Sequence, residues 1–312
     1  MKPVFSVVIP CYNEQEVLSA TWERLHGVME GMGEPYELIF INDGSRDNTT
    51  KMLRELAAEH PLVRALHFAR NFGQQYAVTA GLDAARGDAV VIIDADLQDP
   101  PEVIPQMAEK WRAGADVVYG KRMRRAGETA FKKLTAWGFY RTLRSLVGFD
   151  IPADTGDFRL VSRRALDVIR AMPEHNRFLR GMFAWVGFNT AEVGFEREKR
   201  FAGETKYPLR KMLRLAMDGV LSFSRKPFTW VTWAGGLFAG LGAAGLLGLG
   251  IAALAGAAGL GMWLLAGLMV FLSGCVLTGV GVVGAYVGRI YDEAIGRPLY
   301  IVADRDNEPG DA

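Results

Sequence analysis

Residues 89–102 read Ala-Val-Val-Ile-Ile-Asp-Ala-Asp-Leu-Gln-Asp-Pro-Pro-Glu, an apolar run that ends in two aspartates separated by one residue. Ala89–Ile93 is short and rich in β-branched residues, so it predicts a buried β-strand. Side chains alternate along extended chain, and Asp94 and Asp96 therefore emerge on one side of it. Such triplets often only cap turns, but the position at a strand end favours a Mg²⁺ site completed by water and substrate phosphates.

Three further apolar runs precede this strand, and helix-like segments separate all four. The strands are predicted at Phe5–Ile9, Glu37–Ile41 and Val63–Phe68, and the helices at Glu14–Gly31, Thr49–His60 and Gln74–Arg86. Asp116–Tyr119 predicts one more strand. The alternation is typical of βαβ units and predicts an α/β, doubly wound, mainly parallel sheet that binds nucleotides beyond the carboxyl ends of its strands.

Polar motifs fall at those strand ends. Pro10–Glu14 follows the first strand, and Asn42–Ser45 follows the second. No Gly-x-Gly-x-x-Gly follows the first strand and no Gly-Lys-Ser/Thr loop is present, so dehydrogenase and P-loop classes lose their main support.

A long uncharged run marks the C-terminal part of the chain. Residues 227–288 carry no charged side chain, and a membrane-spanning helix needs about 20 residues. Two helices therefore fit, with Ala255–Gly261 as the turn. The basic residues that flank the run are Arg225, Lys226, Arg289 and Arg297. By the positive-inside rule both ends are cytoplasmic, which predicts a multi-pass protein of the inner (plasma) membrane.

Composition excludes some partners. The 312-residue chain has a net charge of +1, which argues against a general polyanion binder. Nucleic acid could use basic residues of this kind, but it is not the expected partner, because membrane spans lie beside them. Two basic stretches, residues 121–144 and 206–226, interleave with apolar residues. Next to membrane spans, such stretches favour anionic membrane lipids as the partner, although a helix packed on the domain with a solvated basic face would show a similar pattern. Cys11 and Cys275 fall in different regions, and the four histidines show no metal-ligand spacing.

Several motifs together carry a family resemblance. Val7–Glu14, Asn42–Thr49 and Asp94–Glu102 resemble a family-two glycosyltransferase with the GT-A fold. Arg200–Tyr207 and the two spans narrow the resemblance to polyisoprenyl-phosphate glycosyltransferases of the bactoprenol glucosyltransferase branch, which are similar to dolichyl-phosphate mannose synthase. The Gln-x-x-Arg-Trp motif of processive polysaccharide synthases is absent.

The resemblance implies a domain plan and roles for individual residues. Residues 1–205 would form the cytosolic catalytic domain, 206–227 a juxtamembrane basic segment, 228–290 a two-helix transmembrane hairpin and 291–312 a cytosolic tail. The nucleotide-sugar would be bound by Pro10, Tyr12, Glu14, Asp43 and Asp94, the metal (Mg²⁺ or Mn²⁺) by Asp96, Asp94 and Gln98, and the lipid phosphate by Arg122, Lys132, Lys133, Arg200 and Lys206. Asp157 would be the catalytic base, with Asp96 also catalytic.

The implied reaction moves a sugar, first of all glucose from UDP-glucose, to a polyisoprenyl phosphate with inversion. A phosphate monoester has a second pKa near about 6, so it has little proton to give at pH 7. We therefore expect Asp157 mainly to orient the sugar or an acceptor-binding arginine. The alternatives are GDP-mannose with dolichyl phosphate, an aminoarabinose donor, or a nucleotide-binding transport or structural subunit. The glycine-rich spans favour self-association.

Overall fold

The computed structural model describes residues 2–123, 155–196, 226–255 and 260–307. The chain divides into two compact units. The first contains Met1–Ala216 together with Pro298–Ala312, and the second contains Met217–Arg297. The C-terminal end of the chain is thus part of the first unit.

The first unit is a mixed sheet with helices between its strands. Its strands are β1 Phe5–Cys11, β2 Tyr36–Asn42, β3 Val63–Phe68, β4 Ala89–Ile92, β5 Val117–Arg122, β6 Thr155–Ser162, β7 Thr190–Phe195 and β8 Val302–Asp306. Its helices are α1 Leu18–Gly31, α2 Thr49–Glu59, α3 Gln74–Ala84, α4 Ile104–Arg112, α5 Arg163–Ala171 and α6 Leu179–Trp185, with a short 3₁₀ helix at Pro101–Val103. All five predicted strands are present; α1 begins later than predicted, because residues 15–17 form a turn.

The strand order among the described residues is β7-β5-β6-β4-β1-β2-β3-β8. The central strands β4, β1, β2 and β3 are mutually parallel, while β6 and β8 run antiparallel to their central neighbours. This confirms the Rossmann-like mixed sheet of the GT-A fold. The four parallel strands place their carboxyl ends side by side, at what we call the carboxyl end of the sheet.

Close packing of α3 on β1 and β2 fixes the position of the start of α3 at the carboxyl end of the sheet. Gly81 of α3 lies so near β1 and β2 that an added Cβ would stand 2.2 Å from Val8 and 2.7 Å from Ile41. Those side chains are fully buried, so they have little space into which to move. The glycine therefore permits the close approach of α3, whose first residue is Gln74.

Strand β8 was not predicted. It pairs antiparallel with β3, with Ala65 opposite Asp306 and Leu66 opposite Arg305. Its sequence, Val-Ala-Asp-Arg-Asp, lacks an apolar alternation, and most of its side chains are exposed. Such an edge strand depends on its partner rather than on its own pattern, which explains why it escaped prediction.

The second unit contains two long helices, α7 Lys226–Leu254 and α8 Leu260–Ile295. Phe238 of α7 and Phe271 of α8 meet edge to face at 4.9 Å, so the helices pack side by side. Helix α8 runs past the predicted end at residue 290. Among the described residues, one stretch, Leu265–Ile295, is long and apolar enough to cross a membrane, with a mean hydropathy of 2.1. A second span stays a prediction.

Candidate active site

The loops that follow β1 and β2 are joined at the carboxyl end of the sheet. The backbone N–H of Asn13 donates to Oγ of Ser45 at 3.0 Å, and the N–H of Arg46 donates to Oδ1 of Asn13 at 2.8 Å. Asn13 has a φ of 54°, a left-handed conformation that asparagine tolerates better than most residues. The N–H of Glu14 also donates to Oγ1 of Thr49 at 2.9 Å. The two predicted nucleotide-binding motifs therefore form one hydrogen-bonded surface.

Asp43 lies in this surface and is almost fully buried. Its carboxylate accepts hydrogen bonds from the N–H of Phe72 at 2.6 Å, the N–H of Gly73 at 2.9 Å and the amide of Asn71 at 2.9 Å. Burial raises the pKa of Asp43 in spite of these donors. In this structure Asp43 holds the loop before α3.

The other predicted nucleotide ligands of the first loop lie at the same end. Pro10, Tyr12 and Glu14 are each half-buried. Contact of these three residues, or of Asp43, with a nucleotide stays a prediction.

Asp94 and Asp157 meet beyond the end of β4. Antiparallel pairing sets Ile92 opposite Arg159, which carries Asp157 past the end of β4 toward Asp94. The amide nitrogen of Gln74 lies 2.8 Å from Oδ1 of Asp94 and 3.4 Å from Oδ2 of Asp157. The structure therefore brings together one predicted catalytic residue and one predicted nucleotide or metal ligand, with Gln74 between them.

These two carboxylates have opposite electrostatic environments. Burial, followed by the negative charges of Asp157, Asp99 and Asp96, raises the pKa of Asp94 to about 8. Burial also acts on Asp157, but Arg180 and Arg159 outweigh it and hold the pKa of that carboxyl below its usual value. Nε of Arg180 donates to Oδ1 of Asp157 at 2.7 Å. The arginines thus favour the ionised form of Asp157, while burial and the neighbouring carboxylates disfavour the ionised form of Asp94.

The segment after Asp94 has an unusual backbone. Leu97 has a φ of 55°, which is uncommon for a residue with a bulky side chain and tends to occur at functional sites. Oδ1 of Asp96 accepts from the N–H of Gln98 at 3.2 Å. Asp99 follows in the same segment, and its negative charge contributes to the raised pKa of Asp94.

The donor set fits a divalent cation that is held in part by substrate. No group of three or more His, Cys, Asp or Glu side chains among the described residues forms a metal site by itself. Mg²⁺ and similar ions commonly use one or two carboxylates and complete their shell with water and phosphate oxygens. Burial and the neighbouring carboxylates raise the pKa of Asp94, so they disfavour its ionised form, which a cation would stabilise. Asp94 and Asp96 therefore suit this role.

Arg122 is the one predicted lipid-phosphate ligand within the described residues. Its Nη2 atom lies 3.3 Å from each carboxylate oxygen of Asp99. An added Cβ on Gly156 would stand 2.6 Å from the same atom, so the guanidinium packs directly on that glycine. The other four, Lys132, Lys133, Arg200 and Lys206, lie outside the described residues.

Three residues of the site were not given roles from the sequence. Gln74 begins α3, Arg159 is fully buried in β6, and Arg180 lies in α6. The side chain of Gln75 accepts from the N–H of Leu179 at 3.1 Å, which holds the start of α6 against α3 and brings Arg180 to Asp157. Their signal was weak because a lone Gln or Arg is common on helices; the Gly73-Gln74 junction, at which α3 begins, is the local feature that could have indicated the site.

Comparison with known proteins identifies the family. The Glycosyl transferase family 2 model matches residues 6–170. An uncharacterized glycosyltransferase, YkcC of Bacillus subtilis, is 49% identical over 96% of this chain and 93% of its own length. A prophage bactoprenol glucosyl transferase homolog of Escherichia coli is 41% identical over 95% and 97%. The bactoprenol glucosyl transferase of Shigella phage SfII is 41% identical over 95% and 96%.

Among solved structures, a glucosyl-3-phosphoglycerate synthase from Mycobacterium tuberculosis in complex with Mn²⁺, UDP-glucose and phosphoglyceric acid is similar over 70% of this chain and 78% of its own. The sequence identity is 20% and the TM-score is 0.48. With its family model, its full-length relatives and its mixed sheet in agreement, this chain belongs to glycosyl transferase family 2.

Proposed function

We propose that this glycosyltransferase moves a glucosyl group from UDP-glucose to a polyisoprenyl phosphate at the cytoplasmic face of the membrane, with inversion at the anomeric carbon. The observation that carries the proposal is the cluster at the carboxyl end of the sheet. There, Asp94 and Asp157 share the amide of Gln74, and Arg180 pairs with Asp157. Asp94 and Asp96 suit a metal-bound diphosphate, while Asp157 offers an anion that Arg180 holds in place.

The names of the relatives support the choice of sugar and acceptor. Proteins called bactoprenol glucosyl transferase align with this chain over nearly their whole length, so both the catalytic and helical regions are shared. Bactoprenol is a polyisoprenyl lipid, and such an acceptor stays in the bilayer. A catalytic domain joined to apolar helices would meet it at the headgroups.

In the proposed reaction, an oxygen of the lipid phosphate attacks the anomeric carbon of the donor. The bond from that carbon to the diphosphate oxygen breaks, and the nucleoside diphosphate leaves with the bonding electrons. A divalent cation at Asp94 and Asp96 would supply Lewis-acid stabilisation of that leaving group. Inversion of an α-linked donor gives a β-linked sugar phosphate.

Asp157 serves as a positioning group in this scheme rather than as a strong base. Its lowered pKa makes it a weak proton acceptor, and the phosphate acceptor is already mostly dianionic at pH 7, since its second pKa is about 6. The close contact with Arg180 lets Asp157 fix the direction of that guanidinium. Arg180, Arg159 and Arg122 surround Asp157 with positive charge, which suits an anionic acceptor.

Chain topology supports two membrane crossings. The described residues before 217 and after 297 belong to one compact unit. A chain that leaves and re-enters one compartment crosses a membrane an even number of times. Because α8 qualifies as a span, α7 is the natural second crossing, and the flanking arginines favour the cytoplasm for both ends. Self-association through the glycine-rich helices belongs to the same proposal.

The rival assignments differ in donor or in reaction. GDP-mannose with dolichyl phosphate, or an aminoarabinose donor, would use the same cluster. A transport or structural subunit would need a polar path, yet residues 227–288 carry no ionisable charge to form one. Release of nucleoside diphosphate that depends on a metal separates an enzyme from such a subunit.

The test is transfer by the purified full-length chain with polyprenyl phosphate, Mg²⁺ or Mn²⁺, and a panel of UDP- and GDP-sugars. We expect UDP-glucose to give a lipid product one hexose heavier, with a β-anomeric coupling constant by NMR. Asp157→Asn should lower the rate by about 10²-fold or more, whereas Asp167→Asn on exposed α5 is the matched control and should not. Preference for another donor, or no product with any, would overturn the assignment.

The same variant separates orientation from base catalysis. If Asp157 removes a proton, the Asp157→Asn variant should recover as the pH rises above the second phosphate pKa of about 6. If Asp157 holds Arg180, the loss should persist at pH 8.5. Recovery with pH would contradict the positioning role.

A further inference from the structure

We propose that the C-terminal strand β8 takes part in positioning the donor site: Asp306 fixes the tautomer of His67, and His67 orients Asn42 at the end of β2, where the following loop begins. The inference rests on the proposed function, because that loop is a proposed wall of the nucleotide site. It gives the chain that follows the last helix a role in donor binding.

The direction of each hydrogen bond can be derived. The N–H of Ser45 donates to Oδ1 of Asn42 at 3.0 Å, which identifies the oxygen of that amide. The amide nitrogen of Asn42 therefore donates one proton to Oγ1 of Thr50 at 2.8 Å and directs the other to Nδ1 of His67 at 3.0 Å, where it needs an acceptor. The proton of the neutral imidazole then resides on Nε2, which lies 2.8 Å from Oδ2 of Asp306. A carboxylate that accepts from one ring nitrogen fixes the tautomer at the other.

The hydrogen-bonded series Asp306–His67–Asn42, which we call the relay, reaches the loops after β1 and β2, which we call the donor loops. Asn42 and His67 are 2% and 4% exposed, so solvent does not offer substitute partners. From Asn42 the contacts continue to Ser45, whose Oγ accepts from the N–H of Asn13 in the loop after β1. A change at Asp306 would therefore alter the positions of both motifs that the sequence predicts for nucleotide binding.

Other contacts hold β8 in place without the relay. Asp304 pairs with Arg54 of α2, and the amide of Asn307 donates to the carbonyl of Val63 at 2.8 Å. Before the strand, the ring of Tyr300 stacks on Phe68 with centroids 5.2 Å apart. Loss of the Asp306 carboxylate alone should leave the strand docked, so its effect on the donor loops can be measured separately.

The experiment is calorimetric titration of UDP, with Mn²⁺ present, into the full-length chain in detergent. We expect Asp306→Ala to weaken UDP binding by about tenfold, which corresponds to about 1.4 kcal/mol, the scale of one hydrogen bond. Asp304→Ala, on the same strand, removes an exposed ion pair and should change the affinity less than twofold. Asp306→Asn retains an acceptor oxygen and should restore most of the binding.

A second measurement reads the relay itself. Histidine-selective ¹⁵N NMR should show His67 with a protonated Nε2 and an unprotonated Nδ1 in the wild type, and a mixture of tautomers in Asp306→Ala. Equal UDP affinity of wild type and Asp306→Ala, or a single unchanged tautomer in both, would overturn the relay. If the wild type binds neither UDP nor GDP, the proposed function fails, while the tautomer still decides the relay.

Discussion

Clusters of acidic side chains and arginines lie at the two opposite ends of the same sheet, and they differ in charge balance. At the amino end, Glu37 accepts from Ser6 at 2.5 Å, Arg64 at 2.9 Å and Arg86 at 2.8 Å. Burial alone would raise the pKa of Glu37, but these partners hold it below its usual value. At the carboxyl end, burial and three nearby carboxylates raise the pKa of Asp94 to about 8.

The difference separates a structural cluster from a reactive one. A buried carboxylate whose partners match its charge joins neighbouring elements, here β1, β2, β3 and the turn before β4. A half-buried carboxylate that lies among other carboxylates, as Asp94 does, has a disfavoured ionised form that a cation can stabilise. The ionisable group is a carboxylate at both ends, and the surrounding charge decides its role.

The largest expected effect comes from removing the charge at the carboxyl end. We expect Asp94→Asn to lower metal-dependent transfer by about 10³-fold. The cation loses a ligand and binds more weakly, so the leaving diphosphate loses the positive charge that stabilises it. Steady-state transfer with UDP-glucose measures this loss. Retention of activity within tenfold of wild type would show that Asp94 is not part of the metal site.

The same substitution should stabilise the protein when no metal is present. The folded pKa of Asp94, about 8, lies above the unfolded value of about 3.9, so ionisation costs stability increasingly from pH 4 to above pH 8. In EDTA, the melting temperature of Asp94→Asn should exceed that of wild type by more at pH 9 than at pH 6. An equal difference at the two pH values would mean that Asp94 is not strained in the fold.

The second largest effect should come from Glu37→Gln at the amino end, and it should lower the free energy of unfolding without changing activity. Glu37→Gln removes the negative charge that offsets the buried guanidinium of Arg64, and breaking such a pair costs about 3 kcal/mol. We expect a fall of about 8 °C in the melting temperature, measured by tryptophan fluorescence. The transfer rate per folded molecule should stay within twofold of wild type, since Glu37 is at the end remote from the site.

The contrast between these ends was only partly readable from the sequence. The Asp94–Asp96 motif was predicted because it is local: strand, carboxylates and turn are contiguous. Arg180 was not, because its contact with Asp157 depends on the docking of α6 on α3 through Gln75, which no local pattern records. Strand β8 escaped for a similar reason, since its hydrogen bonds to β3 join residues separated by most of the chain.

A smaller effect should follow from a conservative change at each end. Arg180→Lys keeps the positive charge but loses the Nε donor that contacts Asp157, so we expect kcat to fall about tenfold with little change in the KM for donor. Arg86→Lys is the matched control, because Arg86 contacts Glu37 through Nε and Nη2 in a similar way. Similar losses of activity in both variants would remove the distinction between the clusters.

The smallest effect concerns pH at the amino end. Because the folded pKa of Glu37 lies below the unfolded value of about 4.3, its ion pairs contribute stability above that value and lose it as the pH falls through the folded pKa. The difference in melting temperature between wild type and Glu37→Gln should therefore be constant from pH 6 to pH 8 and shrink below pH 4. Asp94 shifts in the opposite direction, so the gap between wild type and Asp94→Asn should widen with rising pH instead. Parallel pH dependences in the two variants would mean that the two ends of the sheet do not differ in charge balance.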